Sequence, residues 1–375
     1  MKIEFVDNIT DIAEQDWQRL NSQASLFSNY RFFQCLEASG SIGQAQGWQP
    51  HHLQLHDTNN DVSAILPSYI KSHSWGEYVF DWAWADAYQQ HSIPYYPKLV
   101  TTVPFTPVTS HKLLSNNIKL TDTFELLSHH CQHQQLNSWH LLYSQDAPEI
   151  TTQQCHDVYQ RNTVQFHWLN YGYRDFDDFL ATFNARKRKN TRKERLSITQ
   201  QGISVRQVLG KDINAAELAF FYLTYQLTYL RRGHTPHLTS EFFQNIVKKL
   251  PEHILLIIAS RHGEDVACAW FFFDDDNLYG RYWGCTQSYN NLHFELCYYQ
   301  GIAFCIENKL ALFHPGTQGE HKIARGFEPK LTTSYHWIKH QAFKTAIKDF
   351  CLQEQQQMRE YQQQCRQLLP FKLSE

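Results

Sequence analysis

Long apolar runs are missing from this sequence. No stretch of its 375 residues approaches the ~18 consecutive apolar residues that span a bilayer as a helix. The aliphatic run Ile254-Leu255-Leu256-Ile257-Ile258-Ala259 has the length of a buried strand instead. The start, Met1-Lys2-Ile3-Glu4-Phe5, alternates like a strand and lacks the apolar core and cleavage site of a signal peptide. A soluble, cytoplasmic protein is therefore expected. Paired cysteine motifs are also absent. The nine cysteines (Cys35, Cys131, Cys155, Cys268, Cys285, Cys297, Cys305, Cys351 and Cys365) form no C-x-x-C pair. An odd, scattered set makes a poor disulfide framework and fits a reducing compartment. There is no H-E-x-x-H, and the imidazoles of His51, His52, His56, His129, His130 and His133 follow no zinc-site pattern, so no metal is expected. The formal charge is only −3, which excludes general nucleic-acid coating and leaves DNA out of the expected partners.

What is present is enough chain for two cores. Hydrophobic residues make up 42% and charged residues 19%, as in a globular protein, and the aromatics, 15%, cluster rather than scatter. Ile3 to Ala38 reads as a short strand and helices, with Asp11 or Asp16 as a helix cap. Leu53–His56 and Val62–Ile70 alternate around the turn Asn59-Asn60-Asp61 and predict a hairpin. Val100 to Val108, with two prolines, suits an edge strand or an irregular crossing. Thr121–His133 and Thr151–Asn162 look helical. In the second half, Phe176, Phe179, Leu180 and Phe183 fall at helical spacing and lead into a basic helix that Gly202 stops. Helices over 215–230, 240–250 and 292–308 and a second hairpin, 255–260 with 266–273, complete the pattern, and a third strand covers 278–283. Each half holds a strand-turn-strand unit, and the junction is placed near residues 162–166. The tail from Lys344 to Leu369 is Gln-rich and helically periodic.

Four segments can carry chemistry. The run Arg186 to Arg195 holds seven cations and one acid. It reads either as a solvated helix face or as a site for phosphates or an RNA backbone, with Arg188 and Arg192 the preferred contacts because guanidinium grips phosphate bidentately. Glu295 heads a stripe with Tyr299, Ile302 and Ile306. There it would be a desolvated general base, or an acid stabilising the helix dipole. The loop Gly316-Thr317-Gln318-Gly319-Glu320-His321-Lys322, followed by Arg325-Gly326-Phe327, reads as a polar surface turn or as a site whose amide donors, bases and cations suit an oxyanion, and its place after the apolar Leu310 to Phe313 favours the site. The aromatic stretch Trp75 to Asp86 reads as a core segment or as the wall of a cleft.

Several strings resemble the FemAB-like family of predicted bacterial N-acyltransferases, associated with peptidoglycan biosynthesis or recognition. They are Glu77-Tyr78-Val79-Phe80-Asp81 with Trp84-Ala85-Asp86-Ala87-Tyr88, Tyr95-Tyr96-Pro97-Lys98-Leu99, the stretch from Leu278 through Tyr282-Trp283-Gly284 to Leu292-His293-Phe294-Glu295, and Gln318-Gly319-Glu320-His321-Lys322. The chain more distantly resembles the Fem-type aminoacyl transferases, which pair two GNAT-like domains and move an amino acid from aminoacyl-tRNA to a peptidoglycan precursor. The fold implied is α/β (α+β): two tandem GNAT-like domains, each a mixed, mainly antiparallel sheet flanked by helices. They would cover 1–163 and 164–340, with 341–375 a docking helix. Fem-type enzymes use a lysine near the final turn to stabilise the tetrahedral intermediate. That position is Ala324 here, and Lys322 lies two residues earlier. The CoA-binding Q/R-x-x-G-x-G/A loop of acetyl-CoA-using GNAT enzymes has no glycine in the corresponding Gln287–Asn291, which disfavours acyl-CoA as donor.

The reading is an N-acyl transfer to an amine with no tightly bound cofactor. The co-substrate is aminoacyl-tRNA or acyl-CoA, and the acceptor a small molecule or peptidoglycan precursor. Glu295, Glu320, His321 and Lys322 are the candidate catalytic groups. Arg188, Arg192, Gln318, Gly319 and Arg325 are candidate donor or substrate contacts, and the resemblance adds Trp84, Tyr96, Lys98, Arg281 and Trp283. The rival readings are a non-catalytic module recognising cell-wall fragments and an RNA-binding protein using the 186–195 helix.

Overall fold

A computed structural model describes residues 2–22, 25–145, 157–317 and 319–372. The chain divides into two compact units, Met1–Val164 with Leu331–Tyr361, and Gln165–Lys330 with Gln362–Glu375. Residues 331–361 thus group with the N-terminal part of the chain, whereas the sequence reading assigns them to the second half and a separate tail. Each unit has a mixed, mainly antiparallel sheet flanked by helices, the architecture expected of a GNAT-like half.

In the first unit, Lys2–Val6, His52–His56, Val62–Leu66 and Leu114–Ser115 form a small antiparallel sheet, which includes the first expected hairpin. A second sheet runs Trp48–Pro50, Ser68–Lys71, Lys98–Thr101, Ser138–Leu141 and then the end of Glu328–Ile338. Within it only Lys98–Thr101 and Ser138–Leu141 are parallel. Because side chains alternate along a strand, the two faces of this sheet differ. Leu99, Trp139, Leu141, Tyr335 and Trp337 pack under Leu120, Phe124, Leu127 and Cys131 of the helix Leu120–His133. The register places Lys71, Lys98, His140 and His336 on the other face.

In the second unit, Ile203–Leu209, Ile254–Arg261, Glu264–Phe273 and Asn277–Cys285 form a meander. Leu312–His314 then pairs parallel with Asn277–Tyr279 only. Beyond Tyr279 the longer strand continues to Cys285 without that partner, so a wedge opens between the two strands. The helix Ala215–Leu230 lies on the sheet through Phe221, Thr224 and Tyr225. It comes so close at Gly284 that an added Cβ there would meet the Thr224 carbonyl oxygen at 2.1 Å. The helix starting at Leu292 crosses the other way, with Gly301 against the Phe313 ring.

Local expectations fail at a few places for identifiable reasons. Residues 158–162 begin the strand Val158–Leu169 rather than ending a helix. Val158, Tyr159, Thr163, Val164 and Phe166 are strand formers, and their fit to a sheet outweighs the local helical spacing; residues 151–156 lie outside the described part. Of the two readings for Val100 to Val108 the irregular crossing holds, since the interior strand Lys98–Thr101 ends before Pro104 and Pro107. The basic run starts a helix of its own, Ala185–Gln200, since the Asn184 side chain caps it through the Lys187 N–H. The first helix begins at Glu14 after Ala13, and neither Asp11 nor Asp16 caps it.

Candidate functional site

Some of the candidate residues lie in the second unit, around the end of the strand Asn277–Cys285 and the loop after Leu312–His314. The helix from Leu292 passes through a π-helical turn at Glu295–Tyr299 before resuming as Gln300–Glu307. Such insertions are uncommon and concentrate at functional sites. From this turn Glu295 and Tyr299 reach the basic helix. Buried Glu295 takes a bidentate pair from Arg195, at 3.2 and 3.0 Å, and a third hydrogen bond from Gln300. The Tyr299 hydroxyl donates to Glu194. A cavity of about 520 Å³ lies beside Glu295, walled by Phe176, Arg192 and Arg195 among others.

Tyr298 points instead to the loop after Leu312–His314, where its hydroxyl is 2.8 Å from His321 Nε2. That loop closes in the short 3₁₀ turn Glu320–Arg325, entered through Gly319 at φ +114° and left through Gly326 at φ +88°. Both need glycine. A Cβ on Gly319 would lie 2.3 Å from the His321 ring, so the glycine also makes room for the imidazole. Lys322 is fully buried, and its Nζ donates to the Gly316 carbonyl at 2.7 Å. Burial pushes its pKa down to about 7. His321, more open, is lowered from the ordinary imidazole value by partial burial and by Lys322 and Arg325. His293 is pushed to about 4 by burial and then by His321, Lys322 and Arg325. At neutral pH the loop thus brings an uncharged imidazole, His321, and an amine with a pKa of about 7 together, with uncharged His293 of the helix beside them.

The other expected residues have different surroundings. Arg325 stacks on Phe294 at 3.4 Å, binds Glu194 through two hydrogen bonds and holds the His321 carbonyl at 2.7 Å. It is occupied as a brace. Glu320 is exposed. Trp283 meets His293 edge-on at 5.3 Å, and Arg281 lies over the Tyr282 ring at 5.4 Å. Arg188 donates to the Phe183 carbonyl, and exposed Arg192 pairs with Asp177 at 2.8 Å. Gln318 lies outside the described residues. Tyr298 and His293 were missed by the sequence reading. Their one signal is position: His293 lies two residues before Glu295, within a string already carrying the family resemblance, and Tyr298 three residues after it on the same helix.

The first unit contains Trp84, Tyr96 and Lys98 in a separate buried cluster. Lys98 Nζ donates to Ser74 Oγ at 2.9 Å, Glu77 Oε2 at 2.9 Å and Asp81 Oδ2 at 2.5 Å. Tyr95 donates to the same Asp81 oxygen, and Tyr96 shares Ser74. Burial works to raise Asp81, but the Lys98 ammonium outweighs it and holds the carboxyl below its usual range. Burial raises Glu77 to about 7, Lys98 offsetting only part of it. Lys71, over the Trp48 ring at 3.5 Å, is pushed down to about 6 by burial. His140 and His336 touch through their Nδ1 atoms and stay neutral because they are buried. Arg161, paired bidentately with Glu354, lies over the Trp84 ring at 4.8 Å. Lys71, His140 and His336 carry no sequence signal, since each stands on a different strand and only the register assembles them; Arg161, between Gln160 and Asn162, has none either.

Among the described residues no three His, Cys, Asp or Glu side chains group as a metal site, and no helix is long and apolar enough to cross a membrane. Among curated proteins, none matches the chain. Solved structures share its fold at low identity. FemX aligns at 11% identity and a TM-score of 0.52, covering 93% of this chain and 100% of FemX. The C-terminal domain of a putative lysylphosphatidylglycerol synthetase from Agrobacterium fabrum aligns at 8% and 0.51, covering 90% and 96%. A conserved protein of unknown function from Bacteroides thetaiotaomicron aligns at 10% and 0.51, covering 90% and 100%. The family model described as peptidoglycan biosynthesis/recognition matches residues 8–373. With that match spanning nearly the whole sequence, the chain belongs to the FemAB-like family.

Proposed function

We propose that the protein transfers an acyl or aminoacyl group to an amine, on a peptidoglycan precursor or a related metabolite, and that the second unit's wedge holds the reacting atoms. The observation carrying this reading is the adjacency of a neutral imidazole, His321, hydrogen-bonded to Tyr298, and a buried lysine, Lys322, whose pKa burial brings to about 7. Acyl transfer to an amine needs a base for the amine proton and a cation for the oxyanion. In this scheme His321 accepts the proton and the amine lone pair attacks the acyl carbon. The Lys322 ammonium faces the charge that develops on oxygen. As the carbon–oxygen or carbon–sulfur bond to the carrier breaks, a proton passes to the leaving atom. Glu295, held by Arg195 and Gln300, shapes the neighbouring cavity rather than acting as base.

Both carriers enter the test. Purified protein is offered charged tRNA or acyl-CoA with a labelled acyl group, and amine acceptors that include muropeptides. His321→Ala and Lys322→Met should each lower turnover at least about a hundredfold while leaving the fold intact. Wild-type turnover in both variants would overturn the assignment. Tight muropeptide binding without transfer from either carrier would favour recognition instead.

A further inference from the structure

The helix Ala215–Leu230 has an apolar outer face. A surface helix ordinarily turns charged or polar residues away from the sheet it packs on. Here Phe221, Thr224 and Tyr225 face the strands, and no charged residue occurs between Glu217 and Arg231. Opposite the buried face, Ala216, Ala219, Leu223, Leu227 and Leu230 recur at three- and four-residue spacing and line one stripe. Leu223 is 48% exposed and Leu230 60%. The alanines are exposed as well, and only Leu227 is half-buried. A stripe of this kind left in water loses the stabilisation that burying two or three leucines gives.

The order of sizes along the stripe selects the occupant. Its small residues are at the N-terminal end, its large ones at the C-terminal end, and Leu223 is central. Turned end for end about Leu223, the stripe complements itself, with Ala216 opposite Leu230 and Ala219 opposite Leu227. In an antiparallel pair the two helix dipoles also oppose each other favourably. A parallel partner would set leucine on leucine, leave gaps at the alanines and align the two dipoles. We propose that this face is the interface of a twofold homodimer in which the helices of two copies pair antiparallel about Leu223. The self-complementary surface is the form a twofold interface requires, and the alanines permit the close axial approach of packed helices.

Sedimentation velocity of the full chain over a wide concentration range tests this. The wild type should sediment as a dimer. Leu223→Glu should weaken dimerisation about tenfold or more with unchanged circular dichroism at ambient temperature, because the side chain supports no core. Ala216→Leu with Ala219→Leu separates the occupants. It adds apolar surface, yet in an antiparallel pair the new side chains meet Leu230 and Leu227, so dimerisation should again weaken. A monomeric wild type overturns the proposal, as does a Leu223→Glu protein that still dimerises. Tighter self-association in the double leucine variant also overturns it. So does a protein that stays monomeric and binds phosphatidylglycerol vesicles more strongly with the added leucines.

Discussion

His321 and Lys322 are neighbours with opposite needs. The imidazole must stay neutral to accept a proton, and its lowered pKa keeps it so across the neutral range. The acidic limb of the pH–rate profile should therefore titrate below the ordinary imidazole value, and Tyr298→Phe, which removes the hydrogen bond to Nε2, should move that limb. Gly319→Ala should displace the ring without touching its chemistry and strain the turn at φ +114°, lowering kcat and the melting temperature together. Lys322 leaves a thermodynamic trace. Its folded-state pKa, about 7, lies below the ordinary 10.5, so between those values the unfolded chain binds the extra proton. Stability from this group must rise with pH across that window, by up to about 1.4 kcal/mol per pH unit. Denaturant titrations of wild type and Lys322→Met should differ in slope there, with the variant flatter. Lys98 has the opposite character, being held charged by two buried acids. Lys98→Met strands Asp81 and Glu77 and should cost about 3–5 kcal/mol, part of it recovered by adding Asp81→Asn.

At the scale of elements, close backbone approach is the feature most sensitive to change. Gly284→Ala forces the strand away from the Thr224 carbonyl, and a loss of about 3 kcal/mol in chemical denaturation is expected. Elements of this kind were largely legible in the sequence. Both hairpins, the third strand and the helices over 215–230 and 240–249 follow from alternation, capping and periodicity, which act over neighbouring residues. The strand at 158–169 was not legible, because its partners lie far away in sequence. The site divides in the same way. The Gly-Glu-His-Lys loop announces itself through glycines and polar residues set close together. The row Lys71, Lys98, His140 and His336 cannot, since strand register alone brings those four positions onto one face. Nor does helical spacing reveal that Glu295 receives its cation from Arg195, a hundred positions earlier.

For the whole molecule, the division into units does not follow the order of the chain. The first unit is completed by residues 331–361. These supply Tyr335, Trp337 and Ile338 to its cores, the Phe343 ring stacked on Tyr88 at 3.9 Å, and Glu354 for Arg161. A fragment ending at Val164 lacks all of them, so its circular dichroism should show no cooperative melt. Adding the separate segment 328–361 should restore one if the missing contacts are the cause.

The same interleaving has a consequence during synthesis. A chain emerging from the ribosome exposes the first 164 residues long before the residues that close their sheet exist. The row of Lys71, Lys98 and His140 must wait for His336 and the strand that carries it while some 160 further residues are made. The second unit, apart from the short piece after 361, can settle first, so maturation runs from the middle of the gene product outward. The early-made part is then a natural client for a holding chaperone, and slowing translation between codons 165 and 330 should lengthen its protease-sensitive interval rather than help it fold.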